Sequence, residues 1–478
     1  MLQDAFLAKI TRPRPHNVYL RENFFGILDQ CRKKPALSLV APQGSGKTTL
    51  ITSYVEVRRL KCLWYQIDPN DRDPAAFFHY LGLAAEKACP DKKIQLPHLT
   101  PEYQSGIQTF TKEYFTRLYK GLGRNSLIIF DNYQEVPAES VLHELIGYGL
   151  DEIPEGVNIV IISRTSLPPV ISRLRLMQKM ESITWDELRL TSDEIMGIAS
   201  KRGSRITEQD CRQMLARTEG WAAGLVLMLE SKIDTPQQRV FDKQNPGAIF
   251  NYFAEELFTK FSGEAREFLL KSALLPVMTA GMAEELTENR RAASILTDLV
   301  DMNYFIQSYF SDQAYYQYHH LFRDFLLDHL SKELDADEMA KIESKAAGLL
   351  ASNGRTDDAV RLYERLNDWE RLVALLLKEA PVMLGQGRHQ TLAEWLDSVP
   401  ARIGEENPWL LYWRGSCHMP FDQEKSRSCF AAAHAALCAK KDAAGAFMSW
   451  CGMVEAAVHG FDDLKILDRC IDSLDGLL

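Results

Sequence analysis

Ala36-Leu37-Ser38-Leu39-Val40, then Ala41-Pro42-Gln43-Gly44-Ser45-Gly46-Lys47-Thr48-Thr49, then Leu50-Ile51-Thr52-Ser53-Tyr54 reads as a buried strand, a glycine-rich turn and the start of a helix. Such a turn directs successive backbone N–H groups into one concavity at the positive end of the helix, where an anion is favoured. Gly44 and Gly46 allow the chain that path. Ser45 between them and Thr49 after them are expected to contact the nucleotide with them, and Lys47 supplies a cation for its outer phosphates. Thr48 offers a hydroxyl to Mg²⁺. Ala41 replaces the first glycine of the usual pattern. A glycine-rich turn without a ligand is the alternative.

Outward from this turn, short β-rich runs alternate with helical stretches as far as Trp185, the pattern of a parallel sheet with helices on both faces. Five strands are expected: Ala36 to Ala41, Cys62 to Ile67, Ser126 to Phe130, Val157 to Ser163 and Glu181 to Trp185. Ser126-Leu127-Ile128-Ile129-Phe130-Asp131 ends in a carboxylate, which places Asp131 to hold Mg²⁺ opposite the turn. The following strand ends in Ser163-Arg164. In P-loop ATPases with an extra central strand, that strand lies between the cradle strand and the carboxylate strand, so Arg164 faces the terminal phosphate. A guanidinium pairs bidentately with phosphate oxygens and can sense a γ-phosphate; an exposed strand-end arginine is the plainer reading. Such ATPases usually carry a second acidic residue after the Mg²⁺-binding aspartate. Here that place is Asn132, which cannot accept a proton; Glu135, a turn later, could substitute, and nothing in the sequence decides it. Tight ATP or ADP binding with slow turnover is the expectation.

The bulk properties bound the rest. At 478 residues the chain is too long for one core, so three or four domains are expected. A net charge of −10 gives no global positive field for DNA or anionic lipid. The nine cysteines form no Cys-x-x-Cys pair, which argues against a disulfide framework and a zinc site. Without a signal sequence or a long apolar span, a cytoplasmic location is expected.

Past Leu190 the β signal fades. Thr191 with Glu194 is a capping box, and Thr207 with Asp210 marks a second helix start. The stretch from Asn245 to Leu330 is mostly helical but holds two β-like pieces, Tyr304 to Ser308 and Tyr315 to Tyr318, about a polar turn at Ser311-Asp312, which suggests a winged helix. From Asp335 onward helix follows helix, separated by polar breaks such as Asn353-Gly354-Arg355, as in a helical-repeat solenoid. No polar capping repeat is evident before Leu478, so the native polypeptide is expected to continue. The fold class expected is therefore multidomain: an α/β P-loop domain with its N-terminal arm over 1–190, a helical subdomain over 191–244, a winged helix over 245–332 and TPR-like repeats over 333–478.

Together these residues resemble the MalT-like STAND ATPases, nucleotide switches found in large LuxR-type transcription activators. The likeness runs through Ile10-Thr11-Arg12-Pro13 and Val18-Tyr19-Leu20-Arg21, the glycine-rich turn, Trp64-Tyr65-Gln66-Ile67-Asp68, Phe130-Asp131-Asn132-Tyr133, Ser163-Arg164, Gly220-Trp221 and Tyr318-His319-His320-Leu321-Phe322. It implies that the arm around Val18 and Arg21 helps to cover the adenine. It also implies that Trp221 lies in a turn packed on the nucleotide, and that His319 reaches the β-phosphate of bound ADP. Without the resemblance, a histidine among aromatics is more often packing, and Trp221 reads equally well as core.

The resemblance implies a switch in which ADP holds the winged helix against the nucleotide domain. An unknown inducer on the repeats, together with ATP, favours an open form that self-oligomerises, and slow hydrolysis resets it. DNA contact is expected only through a C-terminal output domain outside these residues, because the winged-helix segment carries few basic residues on its candidate recognition helix. Two other readings compete: a dedicated ATPase or phosphotransfer enzyme, and a helical-repeat scaffold with a structural nucleotide.

Overall fold

The structure is a computed structural model that describes residues 8–100, 103, 106–231, 250, 251, 254, 255, 258–302, 305–310 and 313–459. Its five-stranded parallel sheet comprises β1 (Ala36–Val40), β2 (Lys61–Gln66), β3 (Ser126–Asp131), β4 (Val157–Ser163) and β5 (Met180–Thr184), in the order β2-β3-β4-β1-β5. The strand between the cradle strand and the carboxylate strand is thus β4, as expected. Every residue of β3 and β4 is buried, because helices cover both faces and leave no polar side for the sequence to alternate with. One of those covering layers packs Phe24, Phe25, Leu28, Leu50, Ile51 and Tyr54 onto Leu37, Leu39, Ile129 and Ile162.

The boundaries of these five strands match the sequence reading to within one residue. At the fifth strand Thr184 ends the run, and its side chain and Glu187 form a capping box for the short helix Trp185–Leu188. Trp185 is therefore helical. The capping boxes expected at Thr191 and Thr207 are both formed, opening the helices Ser192–Lys201 and Glu208–Thr218.

Three helices, Gly263–Ser272, Ala280–Thr287 and Ala292–Asp301, precede an antiparallel hairpin of β7 (Ile306–Phe310) and β8 (Ala314–Tyr318). Tyr304 and the turn residues Ser311 and Asp312 lie outside the described residues. A third strand, β6 (Met278–Thr279), pairs with β8. At two residues it is too short to leave a period in the sequence. The N-terminal arm adds to this sheet, since Arg14 N–H donates to Ser308 O at 3.2 Å and Ala8 packs with Tyr309 and Tyr315.

From Ala336 to His459 the described chain is a succession of helices, with neighbours such as Pro408–His418, Gln423–Ala439 and Ala443–His459 packed on one another. The chain separates into two compact units. One comprises Met1–Pro69, Leu81–Leu96 and Thr111–Gly354; the other comprises Asn70–Tyr80, Pro97–Phe110 and Arg355–Leu478. Within the second, buried Arg388 donates to Asp357 Oδ1 at 2.9 Å and lies 3.4 Å from the Tyr80 hydroxyl. Thr391 Oγ1 donates to Asp73 Oδ2 at 2.6 Å. Residues 70–80, which follow β2 in sequence, are thus held by the helical repeats.

Candidate functional site

The turn after β1 has the geometry a phosphate requires. Gly44 and Gly46 adopt φ of +74° and +84°, where an L side chain is strained. A Cβ on Gly44 would also stand 2.7 Å from the Ala223 Cβ and 2.9 Å from Trp221 Nε1. Trp221 is fully buried and donates its indole N–H to Gln43 O at 2.8 Å, and Ala223 N–H donates to Gly44 O at 3.0 Å. Trp221 is thus a core residue, as one of its two sequence readings has it, and its indole also holds the loop.

Lys47 is buried, with Nζ donating to Ala41 O at 2.7 Å, Pro42 O at 2.8 Å and Ser45 Oγ at 3.2 Å. Burial lowers its ammonium to about 8, helped by the nearby Arg164 cation and opposed by the Asp131 carboxylate. Thr48 Oγ1 donates to Asp131 Oδ2 at 3.0 Å, so the two groups expected to share Mg²⁺ already converge. Burial raises the Asp131 carboxyl, while Thr48 and the Asn132 N–H, donating at 2.9 Å, pull it down. Asn132 takes the left-handed conformation at φ +60°, which turns the chain sharply into Tyr133–Glu135. Gln134, not singled out in the sequence, accepts from the Arg164 N–H at 3.0 Å and so ties the end of β4 to the segment after Asp131. Glu135 accepts from Gln134 at 3.1 Å and does not line the cavity.

The loop faces a cavity with two lobes. The larger, about 210 Å³, is lined by Val18, Tyr19 and Arg21 of the arm, by Gly44, Ser45, Gly46 and Thr49 of the loop, and by apolar Phe25, Leu50, Ile198 and Val226. Its apolar walls suit a base. The smaller is lined by Gly44, Gly46, Lys47, Thr48, Thr49, Asp131, Asn132 and Arg164, together with Gln307, Gln317, His319 and His320 of the winged helix. Apart from Trp221 and Glu135, every residue expected at the site lines one lobe or both, and His319 lines both. Among the described lining residues of the smaller lobe, Asp131 is the only carboxylate.

Arg21 lines the larger lobe, but its guanidinium is committed. It grips the Glu194 carboxylate at 2.7 and 3.1 Å and donates to Leu188 O at 3.1 Å and Arg189 O at 3.3 Å. It joins the arm to the helical subdomain and sets where Val18 and Tyr19 stand. The fit of a nucleotide to this cavity rests on polar groups without partners. Among the described residues, the buried atoms Gln43 Nε2, Ser53 Oγ and His319 Nδ1 make no hydrogen bond, and all three residues line the cavity. Burial, with His320, Arg164 and Lys47 adding to it, depresses His319 to about 3; burial, with Arg164 next, depresses His320 to about 4. Both imidazoles are neutral at pH 7.

Comparisons with known proteins agree with this architecture. A family model described as the MalT winged helix domain matches residues 254–338. HTH-type transcriptional regulators MalT are similar to this chain: that of Vibrio parahaemolyticus is 23% identical over 415 residues, covering 85% of this chain and 46% of the relative. The Cronobacter sakazakii protein is 25% identical over 419 residues, covering 84% and 45%. The chain therefore spans about half the length of the curated relatives it matches. Among solved structures, a STAND protein with a tetratricopeptide repeat sensor from Pyrococcus horikoshii shares the fold, with a TM-score of 0.54 at 14% identity over 97% of this chain and 71% of that one. The chain thus carries a MalT winged helix at residues 254–338, is similar along most of its length to MalT regulators, and shares its fold with a STAND protein.

Proposed function

We propose that the chain is the nucleotide-switch portion of a transcriptional regulator, resting with ADP and opened by ATP together with an inducer. The observation that carries this reading is the composition of the smaller lobe. Its loop, Thr48, Asp131 and Arg164 come from the sheet, whereas His319 comes from the winged helix. A ligand there touches modules that can separate, so its length can bias which arrangement is populated. Lys47 and the loop N–H groups hold the phosphates, Thr48 and Asp131 hold Mg²⁺, and Arg164 reads the γ-phosphate. Bound Mg²⁺ would neutralise phosphate charge. His319, uncharged at pH 7, bonds the diphosphate end and so retains the winged helix.

A slow enzyme follows from Asn132 and from Asp131 being the sole carboxylate among the described lining residues of that lobe, because no second carboxylate there takes a proton from water and burial leaves His319 and His320 weak bases. The relatives are named as transcriptional regulators, which supports DNA contact by a domain beyond these residues, with inducer binding at the repeats and self-association of the ATP form.

The test is nucleotide content after purification, followed by exchange of ADP for ATP. Wild type should retain ADP and exchange slowly, and His319→Ala should lose ADP faster and raise basal oligomerisation. A His319→Ala protein that holds ADP as tightly and stays monomeric removes the proposed lock. Single-turnover hydrolysis faster than about one per second contradicts the slow reset.

A further inference from the structure

The hairpin of the winged helix brings a second set of polar groups to the cavity. Gln307 and Gln317 are directly opposed in the β7–β8 ladder, so their side chains share one face. Gln317 lines the phosphate lobe, while Gln307 lines the phosphate lobe and the base lobe. Between their amides stands the hydroxyl of Tyr309, a fully buried residue, 2.9 Å from Gln307 Oε1 and 2.7 Å from Gln317 Oε1. Tyr309 is close enough to Asp131 for that carboxylate to help burial hold its phenol protonated.

A phenol has one proton and therefore donates to one amide only. The other amide must turn its NH₂ toward the phenol oxygen, a rotation that leaves the shape of the side chain unchanged. Both amide oxygens stand at the phenol, and the nearer, Gln317 Oε1, is assigned its proton, which leaves Gln307 as the amide to be turned. Gln317 accepts the phenol proton and keeps its NH₂ free, in the lobe lined by Lys47, Thr48 and Arg164. Gln307 Oε1 faces the phenol as placed; with its amide turned over, Gln307 donates to the phenol and directs its carbonyl to where the two lobes meet.

We propose that Gln317 and Gln307 form an amide clamp on a ribonucleoside di- or triphosphate: Gln317 donates an N–H to a phosphate oxygen, and Gln307 accepts from a ribose hydroxyl. This rests on the nucleotide reading above. Tyr309 is a positioning residue that fixes which end of each amide faces the ligand. Both contacts are neutral, so the hairpin stays against the loop without adding charge to a cavity that already holds Lys47 and Arg164. The ligand class is narrowed to nucleotides with an intact ribose.

The experiment measures binding of ADP, 2′-deoxy-ADP, 3′-deoxy-ADP and adenosine to the whole chain by calorimetry. Wild type should bind one of the deoxy analogues roughly ten-fold more weakly than ADP, the worth of one hydrogen bond to a partly buried acceptor. Gln307→Leu should weaken ADP by a similar factor and erase the preference for the ribose hydroxyl. Gln317→Glu keeps the shape but sets a carboxylate against phosphate, so ADP should weaken roughly ten-fold or more while adenosine is unchanged. Tyr309→Phe should reduce the ribose preference at an ADP-independent melting temperature close to wild type; should it not fold, the two glutamine variants decide alone. Wild-type binding of ADP with no ribose preference, or Gln317→Glu binding ADP as wild type does, overturns the clamp and leaves the switch standing. Failure of the wild-type chain to bind any nucleotide overturns both.

Discussion

Lys47 keeps an ammonium nearly out of water, and its effect on stability has a definite sign. Its proton leaves at about pH 8 in the folded chain and near 10.5 when exposed. Below about pH 8 both states hold the proton, and the ligand-free fold bears the whole cost of burying it. Between about 8 and 10.5 the unfolded chain binds the proton more strongly, so stability climbs with pH. Lys47→Met should raise ligand-free stability at pH 7 by roughly 1–3 kcal/mol, lose nucleotide binding, and flatten that climb. Urea unfolding at pH 7 and pH 10 checks it; a variant less stable than wild type at pH 7 contradicts it. The residues at this scale were largely legible, because a glycine-rich turn after an apolar run constrains backbone and chemistry together. Arg21 was legible only as a neighbour of the site. Its grip on Glu194 joins residues 173 apart, and no local pattern encodes that.

Among the elements, the turn at Gly220-Trp221 bears most directly on the phosphate loop. Trp221→Phe keeps most of the apolar volume and leaves Gln43 O without its indole donor, which should cost about 1–2 kcal/mol. Trp221→Ala opens a cavity beside Gly44 and should cost about 3–5 kcal/mol. Thermal unfolding without nucleotide orders the two, and ADP affinity should fall in the same order because the loop loses its backing. Equal melting temperatures for Trp221→Phe and Trp221→Ala would show that the indole is not the clamp. Elements with their own chemistry were readable. The capping boxes at Thr191 and Thr207 and the strands β3 and β4 carry local signals of polarity or unbroken hydrophobicity. Strand β6 and the arm's pairing with Ser308 were not, since each exists only through partners distant in sequence.

For the molecule as a whole, the assignment of residues 70–80 to the helical-repeat unit is the feature sequence reading missed. Those residues continue from β2, and nothing in their composition points to Arg388 or Thr391. Within that unit, Asp357→Ala leaves the Arg388 cation buried and unpaired, and should cost about 3–5 kcal/mol. Replacing both members with apolar residues, Asp357→Leu with Arg388→Met, should cost clearly less. Urea unfolding of the single and double variants checks this; equal losses would mean that burial of charge is not the cause. The sheet order carries a further consequence, for synthesis. Ser38 pairs with Ile161 and with Ser182, both far downstream. A ribosome adding about 5–20 residues per second releases the Gly-Lys-Thr turn roughly 5 to 25 seconds before either neighbour of β1 emerges. During that interval the nascent chain displays the motif without its grip, so on the proposed function a nucleotide cannot template the early folding of this module and would be captured only once the flanking strands have arrived.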